Sequence, residues 1–432
     1  MTVTDRNHSA DDVPSLGAMF GIFFRIGVLS FGGPAAQISL IHRMLVDERD
    51  WLSEARFLSA LSFCMLLPGP EAMQLATYAG WRLKGVPGGL LAGLLFVLPG
   101  ALVMLALSVV YVLYGTTTAL AGLFYGIKAT VLVIVLEALL KVSRRALKRS
   151  DHWVLAALAF LALFLLNVPY PLIVLAAALY GFATPSAQKA SEAEPVTTKV
   201  SAPRTIRTIL IGLLIWFGPL VALDLWTGGG ILAELGYFFS KLAVVTFGGA
   251  YAVLAYMAQD VVQHHGWLSA EAMLDGLGLA ETTPGPLILV TQFVGFLAAA
   301  GDGGVWLGIA AAAVTLWATF VPCFLWIFAG APWIEWLSTK RRLSGALEGI
   351  TAAVVGVILN LSVWFGLHVL FGTVVKRELG LLSIWTPELA TIDWPISLLT
   401  VLSAVLLLRL HIGIIPVLGI SAALGWAITA AL

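Results

Sequence analysis

The chain has 432 residues, 60% hydrophobic and 11% charged, where a soluble domain carries roughly a quarter charged residues; no soluble fold hides that much apolar surface. Twenty-four basic residues balance 24 acidic ones, which removes the positive footprint that nucleic-acid binding requires. Cys64 and Cys323 lie in apolar runs without paired spacing, so neither disulfides, a redox pair nor a structural metal is expected, and no cofactor is implied.

Residues 1–14 form a polar, acidic segment without the pattern of a cleaved signal peptide. Apolar runs then follow over 15 to 46, 55 to 80, 87 to 114, 117 to 142, 152 to 167 and 170 to 184. Residues 185–205, with Pro185, Ser186, Gln188, Glu192, Glu194, Pro195 and Pro203, read as a polar cytoplasmic linker. Beyond it lie runs at 206 to 226, 232 to 263, 270 to 300, 303 to 330, 345 to 371, 396 to 409 and 411 to 431. A helix needs about 20 apolar residues to cross a hydrocarbon core about 30 Å thick, so the expectation is an all-α polytopic membrane protein with about 13 crossings. The runs flanking Asn167-Val168-Pro169 are short and can instead form a shallow hairpin.

Sliding the chain on itself by 216 positions aligns 23–70 with 239–286 without a gap. Phe31-Gly32-Gly33 falls on Phe247-Gly248-Gly249, Trp51-Leu52-Ser53 on Trp267-Leu268-Ser269, and Pro68-Gly69-Pro70 on Pro284-Gly285-Pro286. Further on, an offset of 223 pairs Pro99 with Pro322 and Gly126 with Gly349. The expected organisation is an N-terminal repeat over 15–184 and a C-terminal repeat over 227–432, with an unmatched crossing at 206–226. Basic residues in short loops favour the cytoplasm. They occupy Arg82 and Lys84, then Lys141 to Arg149 in the first half, but Lys340-Arg341-Arg342 at the opposite end of the equivalent helix in the second. The halves are therefore expected to be inverted, with the N-terminus cytoplasmic and the C-terminus periplasmic. Inverted repeats with broken helices around a midplane site are a recurrent transporter design.

Four breaks are expected. Gly32-Gly33-Pro34 and Gly248-Gly249 interrupt apolar spans and would present free amides at helix starts, which suit anions. Pro68-Gly69-Pro70 and Pro284-Gly285-Pro286 form the second pair. Non-helical backbone at membrane depth needs protein or a water-filled cavity to satisfy it. Glu71 follows one break, Glu281 precedes the other, and Gln74 lies one turn beyond Pro70. Arg25 and its repeat mate Lys241 precede the glycine breaks, as Ser30 and Thr246 do at closer range. Two cations with two sets of amides describe a divalent oxyanion site, while snorkelling is the alternative for both cations. Lys128 and Glu137 in one apolar span either compensate one another or relay protons, with compensation the favoured reading; Glu281 is a further candidate for coupling. His264-His265 lacks a third ligand at metal spacing. No Gly-rich phosphate loop is present, so an ion gradient or the membrane potential is expected to supply energy.

Phe24-Arg25-Ile26-Gly27, Ser30 to Pro34 and Leu67-Pro68-Gly69-Pro70-Glu71-Ala72-Met73-Gln74-Leu75-Ala76-Thr77-Tyr78, with Gly80-Trp81, resemble the chromate ion transporter family. Thr246 to Gly249 and Thr283 to Pro286 resemble its second domain. The resemblance runs over nearly the whole chain, in the long two-domain form. It implies a bacterial inner-membrane exporter of chromate that confers resistance, with sulfate as the similar oxyanion. It also implies that Arg25, Ser30, Gly32, Gly33, Pro34, Pro68, Gly69, Pro70, Glu71 and Gln74 are motif positions. The second half departs at Ala250 and Val290, where the first has Pro34 and Gln74. The competing readings are a sulfate or other oxyanion permease, an anion channel, and a membrane-embedded enzyme acting on an oxyanion or lipid. A homo-oligomer is compatible with the sequence, and no nucleic-acid partner is expected.

Overall fold

The computed structural model describes residues 14–115, 117–184, 202–247, 250–334, 341–380 and 382–431. Most of the linker expected at 185–205, and Gly248, Gly249 and Lys340, lie outside the described residues.

The first half runs α1 (Leu16–Leu29), α2 (Gly33–His42), α3 (Glu54–Cys64), α4 (Glu71–Tyr114), α5 (Thr118–Ala146), α6 (Ser150–Phe164) and α7 (Tyr170–Ala183). After α8 (Ala202–Thr227), the order recurs as α9 (Ile231–Val245), α10 (Ala250–Gln259), α11 (Ala270–Thr282), α12 (Val290–Gly330) and α13 (Arg341–Leu370). The chain closes with β1 (Val374–Leu379), β2 (Leu382–Pro387), α14 (Trp394–Ala404) and α15 (Ile414–Ala431). A five-residue π-turn extends both α2 and α10.

Four of the expected crossings are divided. Residues 15 to 46, 55 to 80, 232 to 263 and 270 to 300 each form two helical segments on either side of a break. Conversely, α4 and α12 are long but double back. Lys84 and Gly85 leave helical geometry in α4, as Gly303 and Gly304 do in α12. The arms of α4 then touch at Gly80 and Gly88, where a Cβ on Gly88 would lie 2.2 Å from the Gly80 carbonyl oxygen. Among the described residues, six helical stretches are long and apolar enough to cross a membrane, so this is a multi-pass membrane protein. Its exposed side chains include Leu210, Leu214 and Leu225 of α8, which in this setting face hydrocarbon.

The expectation of a purely helical chain misses one feature. β1 and β2 pair antiparallel about a turn at Gly380, whose φ is 66°. The hairpin is tied to the end of α6 by Ser383 N–H donating to Leu165 O at 2.8 Å and by Asn167 Nδ2 donating to Ser383 Oγ at 2.6 Å.

Each half lends its last two helices to the other. α6 and α7 pack on α13, where Gly349 approaches Ala177 and Gly356 approaches Ala156. Reciprocally, α14 and α15 pack on α5, with Gly126 against Ser421. In a bilayer, small residues allow this backbone approach, and short-chain hydroxyls add polar contacts; here Thr130 meets Ser403 at 2.9 Å, and Ser403 meets Ser421 at 3.1 Å. This exchange leaves α4, α5, α10, α11, α12 and α13 around the centre, where the breaks lie.

Candidate functional site: facing helix breaks

α1 ends because Ser30 Oγ donates back to Ile26 O at 2.6 Å and Gly32 and Gly33 then take φ values of 86° and 80°. These left-handed values are open to glycine at little cost. Pro34 sits in the first turn of α2, where a missing N–H removes no helix bond. α9 ends the same way, with Thr246 Oγ1 donating to Leu242 O at 2.6 Å.

The carbonyls released by the two breaks are satisfied across the molecule. Gly285 N–H donates to Ser30 O at 2.8 Å, and Gly69 N–H donates to Thr246 O at 2.8 Å. Each Pro-Gly-Pro segment therefore caps the broken helix of the opposite half. Gly69 and Gly285 reach these positions with φ values of 125° and 89°. Gly100 packs so closely on Pro284 that a Cβ would lie 2.0 Å from its carbonyl oxygen; Cys323, at the equivalent repeat position, packs on Gly69. Both cysteines are free and buried.

Two polar side chains of the first half, Gln37 and Gln74, have apolar repeat mates, Val253 and Val290. Gln37 Nε2 donates to Gly285 O at 2.7 Å and approaches Ser30 O at 3.4 Å. Gln74 Nε2 donates to Pro68 O at 2.8 Å, while its buried Oε1 has no partner among the described residues. Tyr251 OH donates to Glu281 Oε1 at 2.9 Å, and Glu281 is only 6% exposed. Gly32, Gly33, Gln37, Glu281, Thr283 and Gly285 line one small cleft, joined by Ala280 and Leu287. Glu71 is half-buried at the start of α4. Nearby, Arg145 of α5 reaches Met65 Sδ at 2.7 Å and acts electrostatically on Glu71.

Other expected residues lie elsewhere. Arg25 and Lys241 are exposed and do not line the cleft; Lys241 Nζ stands 5.7 Å over the Tyr256 ring. The carboxylate facing Lys128 is Asp275, at 3.4 Å, not Glu137. Asp275 also accepts from Tyr111 OH at 2.8 Å, and Glu137 pairs with Lys141 at 2.6 Å along its own helix. Compensation between Lys128 and Glu137 is therefore replaced by two separate pairs, because Asp275 brings the missing charge from another helix. Asp275, Tyr251, Gln37 and Arg145 were not singled out from sequence. Asp275 and Gln37 were detectable as lone polar residues in apolar runs, whereas Arg145 sits among other basic residues and carries no such signal.

The family model described as Chromate transporter matches residues 17–182 and 233–426, one segment in each half. This chain belongs to the chromate transporter family. The chromate transport protein of Pseudomonas aeruginosa is 34% identical over 369 residues, covering 82% of each chain. A probable chromate transport protein of Synechococcus elongatus is 30% identical over 373 residues, 86% of this chain and 90% of the relative. The uncharacterized transporter YwrA of Bacillus subtilis is 28% identical across 93% of its own length but only 38% of this one. No solved structure matches this chain.

Proposed function

We propose that this protein is a secondary transporter that exports chromate from the cytoplasm by alternating access, conferring resistance in a bacterial inner membrane. Family membership supports the substrate. The observation that carries the mechanism is the reciprocal capping of Ser30 O by Gly285 and of Thr246 O by Gly69, at 2.8 Å in both cases. A bond made twice between repeat mates is what a pseudo-two-fold axis between the halves would produce, and the swapped basic loops of the sequence favour an axis in the membrane plane, the kind that relates inverted halves. With the N-terminus cytoplasmic, α8 turns the second half over and leaves the C-terminus periplasmic.

The start of α2 offers amides for a dianion without a compensating metal. Since Pro34 has no N–H, Gly33, Ala35 and Ala36 supply the donors of the first turn. Arg25 lies on α1 at the position where Lys241 on α9 faces Tyr256, so we assign it to the approach side of α2, where it concentrates anions. A cation on the approach raises the local anion concentration and steers encounter; Arg25→Ala is expected to lower flux at subsaturating anion while leaving the protein folded.

The two halves differ in enclosure, which supports a cycle with alternative packings. In α2, Ala35, Ala36 and Ser39 are exposed, whereas Val253 to Ala258 of α10 are buried. The first half's short helices stand open while those of the second are covered.

Uptake of radiolabelled chromate into everted membrane vesicles tests the function, since outward transport in the cell becomes inward there. Saturable uptake above empty vesicles, reduced by excess sulfate and by Arg25→Ala, is expected. No uptake by correctly inserted protein would reject chromate export, and consumption of the anion without accumulation would favour an enzyme.

A further inference from the structure

The cleft at the first break contains a carboxyl group where an anion is expected, and anion transport alone gives it no purpose. Glu281 lies in the last turn of α11, three residues before Pro284, is 6% exposed, and has Tyr251 OH on Oε1 at 2.9 Å. No basic side chain joins it in the cleft, whose other polar side chains are Gln37 and Thr283.

The charged and titratable groups facing it are few. α10 contributes Tyr251, and α5 contributes Glu137 and Lys141, which are paired with each other at 2.6 Å. α2 contributes no titratable side chain to the cleft. On α11 itself, Asp275 is already engaged by Lys128 and Tyr111. Glu281 therefore makes no salt bridge among the described residues, while sharing a narrow cleft with the start of α2. An ionised carboxylate in that space repels a dianion, because the protein packed around a small cleft screens charge less than bulk water does.

We propose that Glu281 is the proton-binding residue of the transport cycle and that the oxyanion enters the cleft only when this side chain is protonated. A proton from bulk water adds to the free carboxylate oxygen, giving a neutral acid, and the dianion occupies the vacated electrostatic position at the α2 start. When the anion leaves, the proton is lost to water and the carboxylate resumes its place. One proton moves with each dianion, so a cycle carries a net charge of minus one, and the membrane potential acts on that charge. This deepens the oxyanion-transporter reading and rests on it.

The test uses the purified full chain in lipid nanodiscs, weakly buffered and alkaline enough that chromate itself stays dianionic. Chromate binding is measured directly, and proton uptake is followed with a pH dye. The wild type is expected to take up about one proton per bound anion. Glu281→Gln should bind the anion with no uptake, and Glu281→Asp should retain it. Anion binding by the wild type without uptake, or unchanged uptake in Glu281→Gln, overturns the proposal while sparing the transporter reading; absence of any anion binding overturns both. Labelling of the wild type with a hydrophobic carbodiimide, which attacks protonated carboxyls in membranes, gives a readout free of mutation. Modification at Glu281 that depends on chromate is expected, and labelling confined to other carboxyls overturns the assignment.

Discussion

Gly100 carries one of the closest approaches around the breaks. Its hydrogen stands where a Cβ would be 2.0 Å from Pro284 O, and backbone cannot yield as a side-chain tip does. Gly100→Ala is expected to cost about 1–3 kcal/mol through overpacking and to abolish flux by displacing Gly285 from Ser30. Thermal unfolding in detergent together with vesicle uptake checks this, and native stability with native flux would contradict the packing described. The Lys128–Asp275 pair makes a sharper demand, because both partners are largely buried. Removing one partner of a buried pair costs about 3–5 kcal/mol, whereas replacing both with apolar residues is often nearly neutral. Lys128→Met alone should therefore destabilise strongly, and the double variant Lys128→Met/Asp275→Leu should recover most of the loss. Additive losses in a double-mutant cycle would show that the pair is not coupled.

Among elements, the exchanged arms matter most. Gly126 meets Ser421 so closely that a Cβ would lie 1.8 Å from its carbonyl oxygen. Gly126→Leu should separate α15 from α5 and leave little folded protein, measured as monodisperse yield after extraction. The turn from α2 to α3 lies in a polar segment and is held by His42, 2.6 Å from Glu54 and 3.3 Å from Asp47. The hydrogen bond to Glu54 raises the imidazole above its ordinary value of 6.5. A raised histidine stabilises the fold fully below its unfolded value and loses that contribution as pH rises through the folded one. Melting temperature should therefore fall slightly from acid to neutral pH in the wild type, and this slope should shrink in Glu54→Gln. The unchanged slope in that variant would place its origin elsewhere.

At the scale of the whole molecule, the sequence carried the repeated breaks because glycine and proline have few other reasons to recur at one offset. Ser30 and Thr246, chosen only as neighbours of those breaks, turned out to supply the two capped carbonyls. Residues that act through tertiary contact were hidden. Nothing local tells Lys128 that its carboxylate arrives from α11, or α5 that α15 will cover it. The hairpin of 374–387 escaped notice because charged residues interrupt its apolar alternation. Arg25 shows the converse limit: its place in an apolar run does not reveal that its helix face is exposed. The inverted arrangement makes its own prediction, that reporter tags inserted after Lys148 and after Arg342 both lie on the cytoplasmic side; a periplasmic signal from either would reject it.

Alternation between two packings is the central claim, and the repeat supplies a matched pair of probes. Ser39 on α2 is exposed, while its repeat mate Ala255 on α10 is only 4% exposed. Single cysteines at these positions, in a background lacking Cys64 and Cys323, would be reacted with a polar maleimide in everted vesicles. Ser39→Cys is expected to react rapidly and Ala255→Cys slowly without substrate. Under chromate turnover, Ser39→Cys should become protected as Ala255→Cys becomes reactive from the opposite side. Reactivities that stay unequal and unaffected by chromate would contradict alternating access at these breaks.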